Sequence, residues 1–201
     1  MFNDLSSPLA LLKTRRSGRP RDLMAPGPDA GQLRTIFEIA ARVPDHGKLA
    51  PWRFLHIRNE DRGALAAMLE AAYRADRPEA GRLEIEAAHR FAHQAPELVV
   101  VFFSPRDSAK IPQWEQQFSC GAACMNLLHA THALGFAGGW ITGWAAVSQP
   151  VHAGLGAAPG ERIAGFFFLG TLGAEQEERP RPNLDDVVGT WSPATSAPVA
   201  P

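Results

Sequence analysis

"PQWEQQFSCGAACMNLLHATHAL", Pro112–Leu134, decides the fold. The run is long, rich in small residues, and apolar on more than one face. That pattern predicts a helix at the centre of the molecule rather than an amphipathic one on its surface. Cys120 and Cys124 lie four apart within it and share a helical face. Two cysteines do not make a metal site, and a disulfide across one helical turn has poor geometry, so buried, inert thiols are expected.

Outward from this helix the elements fall into place. "GFAGGWITGW" (135–144) reads as a glycine-rich turn, and "SQPVHAGLG" (148–156) as a short helix with Ser148 near its cap. "ERIAGFFFLGTLG" (161–173) and "ELVVVFFSP" (97–105) are continuous apolar runs, the signature of buried strands. "RFLHIRN" (53–59) is a third strand, and "EDRGALAAMLEAAYRAD" and "PEAGRLEIEAAHRFAHQAP" are helices. In "PDAGQLRTIFEIAARVP" (28–44), Asp29 and Gln32 have capping-box spacing, and Leu33, Ile36, Phe37 and Ala40 make one apolar face before Pro44. "SSPLALLKTRRSGRP" (6–20) is a short helix capped at Ser7 and stopped by Gly18 and Pro20. Helices outnumber strands without alternating regularly with them, which predicts an α+β fold.

The chain has 201 residues, 45% of them apolar, enough for one core. A single domain over 1–190 is expected, followed by a disordered tail, 191–201. Lys+Arg at 20 against Asp+Glu at 21 gives no global attraction to nucleic acid or membrane. No segment reads as a leader or a membrane span, so a cytoplasmic protein is expected.

Three stretches carry more chemistry than structure requires. "KTRRSGR" (13–19) gathers four cations and a hydroxyl at a helix end, where guanidinium forks and Ser17 suit a phosphate; a solvated basic surface is the plain alternative. "RVPDHGKLAPWRF" (42–54) sets Arg42, His46 and Lys48 in a loop stiffened by Pro44 and Pro51. In "GFAGGWITGW", glycines flank Trp140, Ile141 and Thr142 and allow backbone to approach a flat ligand. "GLGAAPG" (154–160) has neither the spacing nor the context of a dinucleotide loop. His129 and His132 sit a helical turn apart but lack further ligands, so no metal site is expected. No catalytic acid, base or nucleophile is assigned.

"RRS" after a first helix, then "RxPDHxxxxPWxF", "PxWEQxxSxGxAxxNLLxAxxxxGxxxxWxTG" and a strand ending "FLGT" together resemble the nitroreductase family, in particular its small YdjA-like branch. The resemblance runs from about Leu9 to about Val188. It implies a nitroreductase-like α+β fold, a central mostly antiparallel sheet wrapped by helices, in an interlocked homodimer with FMN at the subunit interface. By position, Arg15, Arg16 and Ser17 hold the FMN phosphate and ribityl end. Arg42 and His46 reach the cofactor, His46 from the partner chain, and Trp140, Ile141 and Thr142 line the ring. Relatives with "WRSG" carry a cation where this chain has Ile141. In "ERPRPNLDD", Arg181 is the candidate for a further phosphate contact, with Arg179 the alternative. The implied activity is hydride transfer from NAD(P)H through FMN to an electron-poor acceptor, a nitroaromatic or quinone, by a ping-pong cycle, with Lys48 a candidate to stabilise reduced flavin. A non-catalytic flavin-binding protein and a flavin enzyme of other chemistry, such as reductive dehalogenation, are the alternatives.

Overall fold

The computed structural model describes residues 2–193. Of the expected tail, 194–201 lies outside the described residues, and 191–193 is exposed.

Two apolar runs form the middle of the sheet. Strand β5 (Arg162–Leu172) pairs antiparallel with β3 (Glu97–Phe103), which pairs antiparallel with β2 (Trp52–Ile57). β4 (Ala137–Ile141) takes the other side of β5, and the two-residue β1 (Leu23–Met24) pairs with the far end of β5. Every pairing is antiparallel, so the mostly antiparallel α+β arrangement expected from the sequence is the one observed.

Because side chains alternate across a strand, each buried run serves two cores. Val99, Val101, Phe103, Phe167 and Leu169 face α2 (Ala30–Ala40) and the central helix α5 (Gln113–Ala133). Leu98, Val100, Phe102, Phe166 and Phe168 face α3 (Arg62–Asp76) and the short helices α6 (Trp144–Val147) and α7 (Gln149–Gly154). The sheet is thus sandwiched between two helical layers. α4 (Arg82–Phe91) packs outside α3.

The local signals hold. The Asp29–Gln32 capping box forms, and Leu33, Ile36 and Ala40 are buried. Ser148 caps α7 through the Val151 amide. Cys120 and Cys124 are free thiols in the core, and the hydrogen bond with the Cys120 sulfur, then burial, push Cys124 far above the usual thiol range.

Two expectations are corrected. α1 (Pro8–Thr14) ends before the arginines, so Arg15–Ser17 are extended backbone beyond the helix rather than its last turn. "GFAGGWITGW" is no simple turn, since Ala137–Ile141 is an edge strand. Its paired glycines have a packing reason: the Gly18 amide donates to Gly138 O at 3.0 Å, and a Cβ on Gly139 would press on Gly18 O.

Candidate functional site

That hydrogen bond joins two of the three sequence stretches. Gly18 pins "RRS" to the start of β4, while Trp140, Ile141 and Thr142 lie at its other end. At about 3.3 Å per residue, Trp140 lies ~7 Å and Thr142 ~13 Å along the chain from Gly138. Trp140 stacks on Phe167 with centroids 5.2 Å apart, and its indole N–H donates to Ala164 O, so one edge of the ring is fixed while its face stays partly exposed. Beside it, Gln117, Cys120, Gly121, Cys124 and Arg162 border a groove of about 260 Å³.

At the other end three guanidinium groups converge. Arg15 is partly buried, and its only side-chain hydrogen bond among the described residues goes to Ser17 Oγ, at 3.1 Å. Burial pulls its pKa below the usual arginine value, and the nearby charges of Arg181 and Arg16 pull it further. Arg16 donates to Glu177 O and stands 3.8 Å from Glu178, which also pairs with Arg181 at 3.2 Å. Gln176 donates to the Arg16 and Ser17 carbonyls and so straps the segment after β5 onto this cluster. Arg179 meets Glu178 through its backbone amide. Glu178 thus offsets Arg16 and Arg181, whereas Arg15 has no carboxylate partner among the described residues.

His132 lies behind the cluster, buried, with neither ring nitrogen hydrogen-bonded. Burial first, then the charge of Arg15 and the neighbouring His129, bring its pKa down to about 4. The unfolded chain therefore takes up a proton first as pH falls, and stability drops between about 6.5 and about 4. The expected loss from this one group is on the order of 3 kcal/mol. His132→Phe should remove that part of the acid sensitivity. Urea melts at pH 7 and 4.5 check it, and equal pH dependence in variant and parent would refute it.

The third stretch stands apart. The loop after α2 is built by left-handed backbone at Gly47 (φ 73°), Lys48 (φ 57°) and Ala50 (φ 46°). Two of these are not glycine, a strain that needs outside support. Asp45 accepts from the Ala50 amide, and α5 supplies the rest. Glu115 Oε2 meets His46 Nδ1 at 2.8 Å, Ser119 Oγ donates to Pro44 O at 2.9 Å, and Asn126 Nδ2 donates to Arg42 O at 3.1 Å and Ile39 O at 3.2 Å. The side chains of Arg42, His46 and Lys48 are presented at the surface.

At about 100° per residue, Glu115, Ser119 and Asn126 fall within ~40° of one another around α5. The residues that border Trp140, from Gln117 to Cys124, centre about 170° away. Along the axis, His46 meets Glu115 near the start of α5, whereas Arg15 acts on His132 near its end, about 25 Å further on. Arg15, Arg16, Ser17 and Arg181 therefore form one cluster, joined through β4 to Trp140, Ile141 and Thr142. Arg42 and His46 of the same chain lie across the helix from them. Glu115, Ser119 and Asn126 stand as fixed letters of the resemblance motif but were given no role from the sequence, although their spacing of four and seven already places them on one helical face.

The chain thus has an α+β fold, an antiparallel five-stranded sheet between helical layers, with the arginine cluster at one end of the edge strand β4. Residues 12–171 match the model of the nitroreductase family. A protein of Haemophilus influenzae named as a candidate NAD(P)H nitroreductase is 38% identical over 172 residues, covering 85% of this chain and 91% of the relative. The candidate NAD(P)H nitroreductase YdjA of Escherichia coli K12 is 35% identical over 167 residues, 81% of this chain and 87% of the relative. Among solved structures, a nitroreductase-like family protein from Bacillus cereus superposes with a TM-score of 0.75 at 21% identity, covering 92% of this chain and 96% of that one. The FMN and NADPH-dependent nitroreductase NfnB from sphigopyxis sp. strain HMH gives 0.73 at 21%, covering 92% and 99%. The chain belongs to the nitroreductase family.

Among the described residues, no helix is long and apolar enough to cross a membrane, and no group of three or more His, Cys, Asp or Glu is placed to hold a metal.

Proposed function

We propose that this protein is an FMN-dependent oxidoreductase that passes hydride from NAD(P)H to an electron-poor acceptor of the nitroaromatic or quinone kind. The observation that carries this is the convergence of Arg15, Arg16 and Arg181 without a carboxylate on Arg15. A phosphate dianion would supply the missing charge, and the ~13 Å of chain from Gly138 along β4 to Thr142, just past its end, matches the scale of FMN from phosphate to ring. Arg15, Arg16, Ser17 and Arg181 would hold the phosphate end, and Trp140, Ile141 and Thr142 the ring. Bound FMN supplies the hydride chemistry, and donor and acceptor use one cleft in turn, a ping-pong cycle. The protein's part is to orient and to exclude water, and no acid or base of the chain is assigned to the reaction.

The functional unit in this proposal is a homodimer. Trp114 and Phe118 are 57% and 71% exposed on α5, on the stripe between its loop-bracing face and its Trp140 face. A second copy packed on that stripe brings its own Arg42 and His46 to the Trp140 side, which one chain cannot do. After β5 the chain leaves the body with Leu184, Val187 and Trp191 exposed, further apolar surface for the same partner.

Charge-assisted hydrogen bonds to a shielded phosphate contribute about 1.5–3 kcal/mol each. Arg15→Ala and Arg16→Ala should each weaken FMN binding roughly tenfold or more and leave riboflavin, which lacks the phosphate, little affected. Fluorescence titration of the apoprotein with both flavins tests this. Unchanged FMN affinity in both variants would place the phosphate elsewhere. Anaerobic bleaching of the yellow protein by NADH or NADPH tests the activity itself; a flavin that ignores both nucleotides marks a binding protein instead.

A further inference from the structure

Outside the arginine cluster, Glu115 and His46 meet 69 residues apart in sequence and 2.8 Å apart in space. A carboxylate only accepts, so the ring nitrogen facing it, Nδ1, carries the hydrogen. In the neutral imidazole the other nitrogen is then an acceptor. Among the described residues Nε2 of His46 has no partner, and the side chain is 65% exposed. Ser119 and Asn126, on the same face of α5, hold the Pro44, Arg42 and Ile39 carbonyls, so the backbone carrying His46 is fixed as well as its ring.

We infer that Glu115 is a positioning residue: it locks His46 in the Nδ1–H tautomer and leaves Nε2 as an acceptor for a hydrogen-bond donor of the cofactor bound with the partner subunit. This rests on the FMN assignment proposed above. Phosphate oxygens and ring carbonyls have no hydrogen to give, so His46 is excluded from both. The donors FMN offers are the ribityl hydroxyls and the ring N3–H. A carboxylate held against the far side of the ring acts by removing the wrong tautomer before the ligand arrives.

Glu115→Ala frees the ring and should weaken FMN binding about fivefold. Glu115→Gln, whose amide oxygen still accepts from Nδ1–H, should stay within about twofold of the parent. In a His46→Ala background the Glu115→Ala change should have no further effect, because the two act as one unit. Nitrogen NMR of the histidines in the apoprotein gives a readout independent of flavin: Nδ1–H for His46 in the parent and in Glu115→Gln, and loss of that preference in Glu115→Ala. Glu86→Gln, on the distant α4, is the control and should change nothing. FMN methylated at N3 separates the two donors, for the Glu115→Ala effect persists with it if a ribityl hydroxyl is the donor and vanishes if N3–H is. An Nε2–H tautomer in the parent, or tight FMN binding that Glu115→Ala leaves unchanged, overturns the positioning role alone. A parent that binds no FMN overturns the cofactor assignment, and this role with it.

Discussion

Replacing Phe118 with glutamate is expected to give a folded monomer that has lost FMN. Within its own chain the Phe118 ring packs edge-on against its helix neighbour Trp114, with centroids 5.7 Å apart, and is 71% exposed. The substitution therefore costs the isolated fold little. In the proposed dimer the same position is buried on the α5 stripe, where each copy would place an unpaired carboxylate in an apolar contact. Such a group costs several kcal/mol, enough to separate the subunits at micromolar concentration. Flavin should be lost with the interface, because Arg42 and His46 lie on the opposite face of α5 from Trp140 and, in the proposed dimer, reach it from a second copy. Sedimentation should show the 21.7 kDa chain in place of twice that mass, flavin absorbance should fall away, and the urea midpoint should hardly move. A monomer that retains full flavin would sink the shared-site model.

The parts legible in the sequence were those set by local rules. Runs such as "ELVVVFFSP" and "ERIAGFFF" announce buried strands because both faces must be apolar, and Asp29 with Gln32 marks a helix start by a three-residue spacing. β4 was hidden because Gly138 and Gly139 weaken any strand signal. Their small size serves the approach of the Gly18 backbone, a contact between segments about 120 residues apart that no local window contains. The site divided in the same way. Cations and histidine in odd loops were visible as candidates, whereas their grouping was not. Arg15 and Arg181 meet only because Gln176 straps the end of the chain onto the first loop, and Arg42 and His46 are set apart from them only by the rotation of α5. Glu115 was overlooked for the same reason: a glutamate in the first turn of a helix already has a reason to be there, the helix dipole, and nothing local points to His46.

Arg62→Ala is expected to cost more stability than any other single truncation considered, about 3–5 kcal/mol. Arg62 is the first residue of α3, where a cation opposes the helix dipole, so its identity there must serve something other than the helix. It is 2% exposed and donates to Ile57 O at 3.1 Å, Ala92 O at 2.7 Å and Pro96 O at 3.2 Å. Those carbonyls belong to the end of β2, the exit of α4 and the approach to β3, three chain ends that cannot bond to one another. One planar guanidinium with several fixed donors satisfies all of them. Burial pulls its pKa below the usual arginine value, and the nearby Glu97 carboxylate partly offsets this. Truncation leaves three carbonyls without a donor and a cavity where the side chain lay, and both terms act in the same direction. Arg62→Lys keeps the charge but not the fork, so it should recover only part of the loss. Urea unfolding of the three proteins measures the order directly: parent, then lysine, then alanine. A lysine variant as stable as the parent would mean that charge alone is needed, and an alanine variant within about 1 kcal/mol of the parent would mean that water replaces the arginine at all three carbonyls.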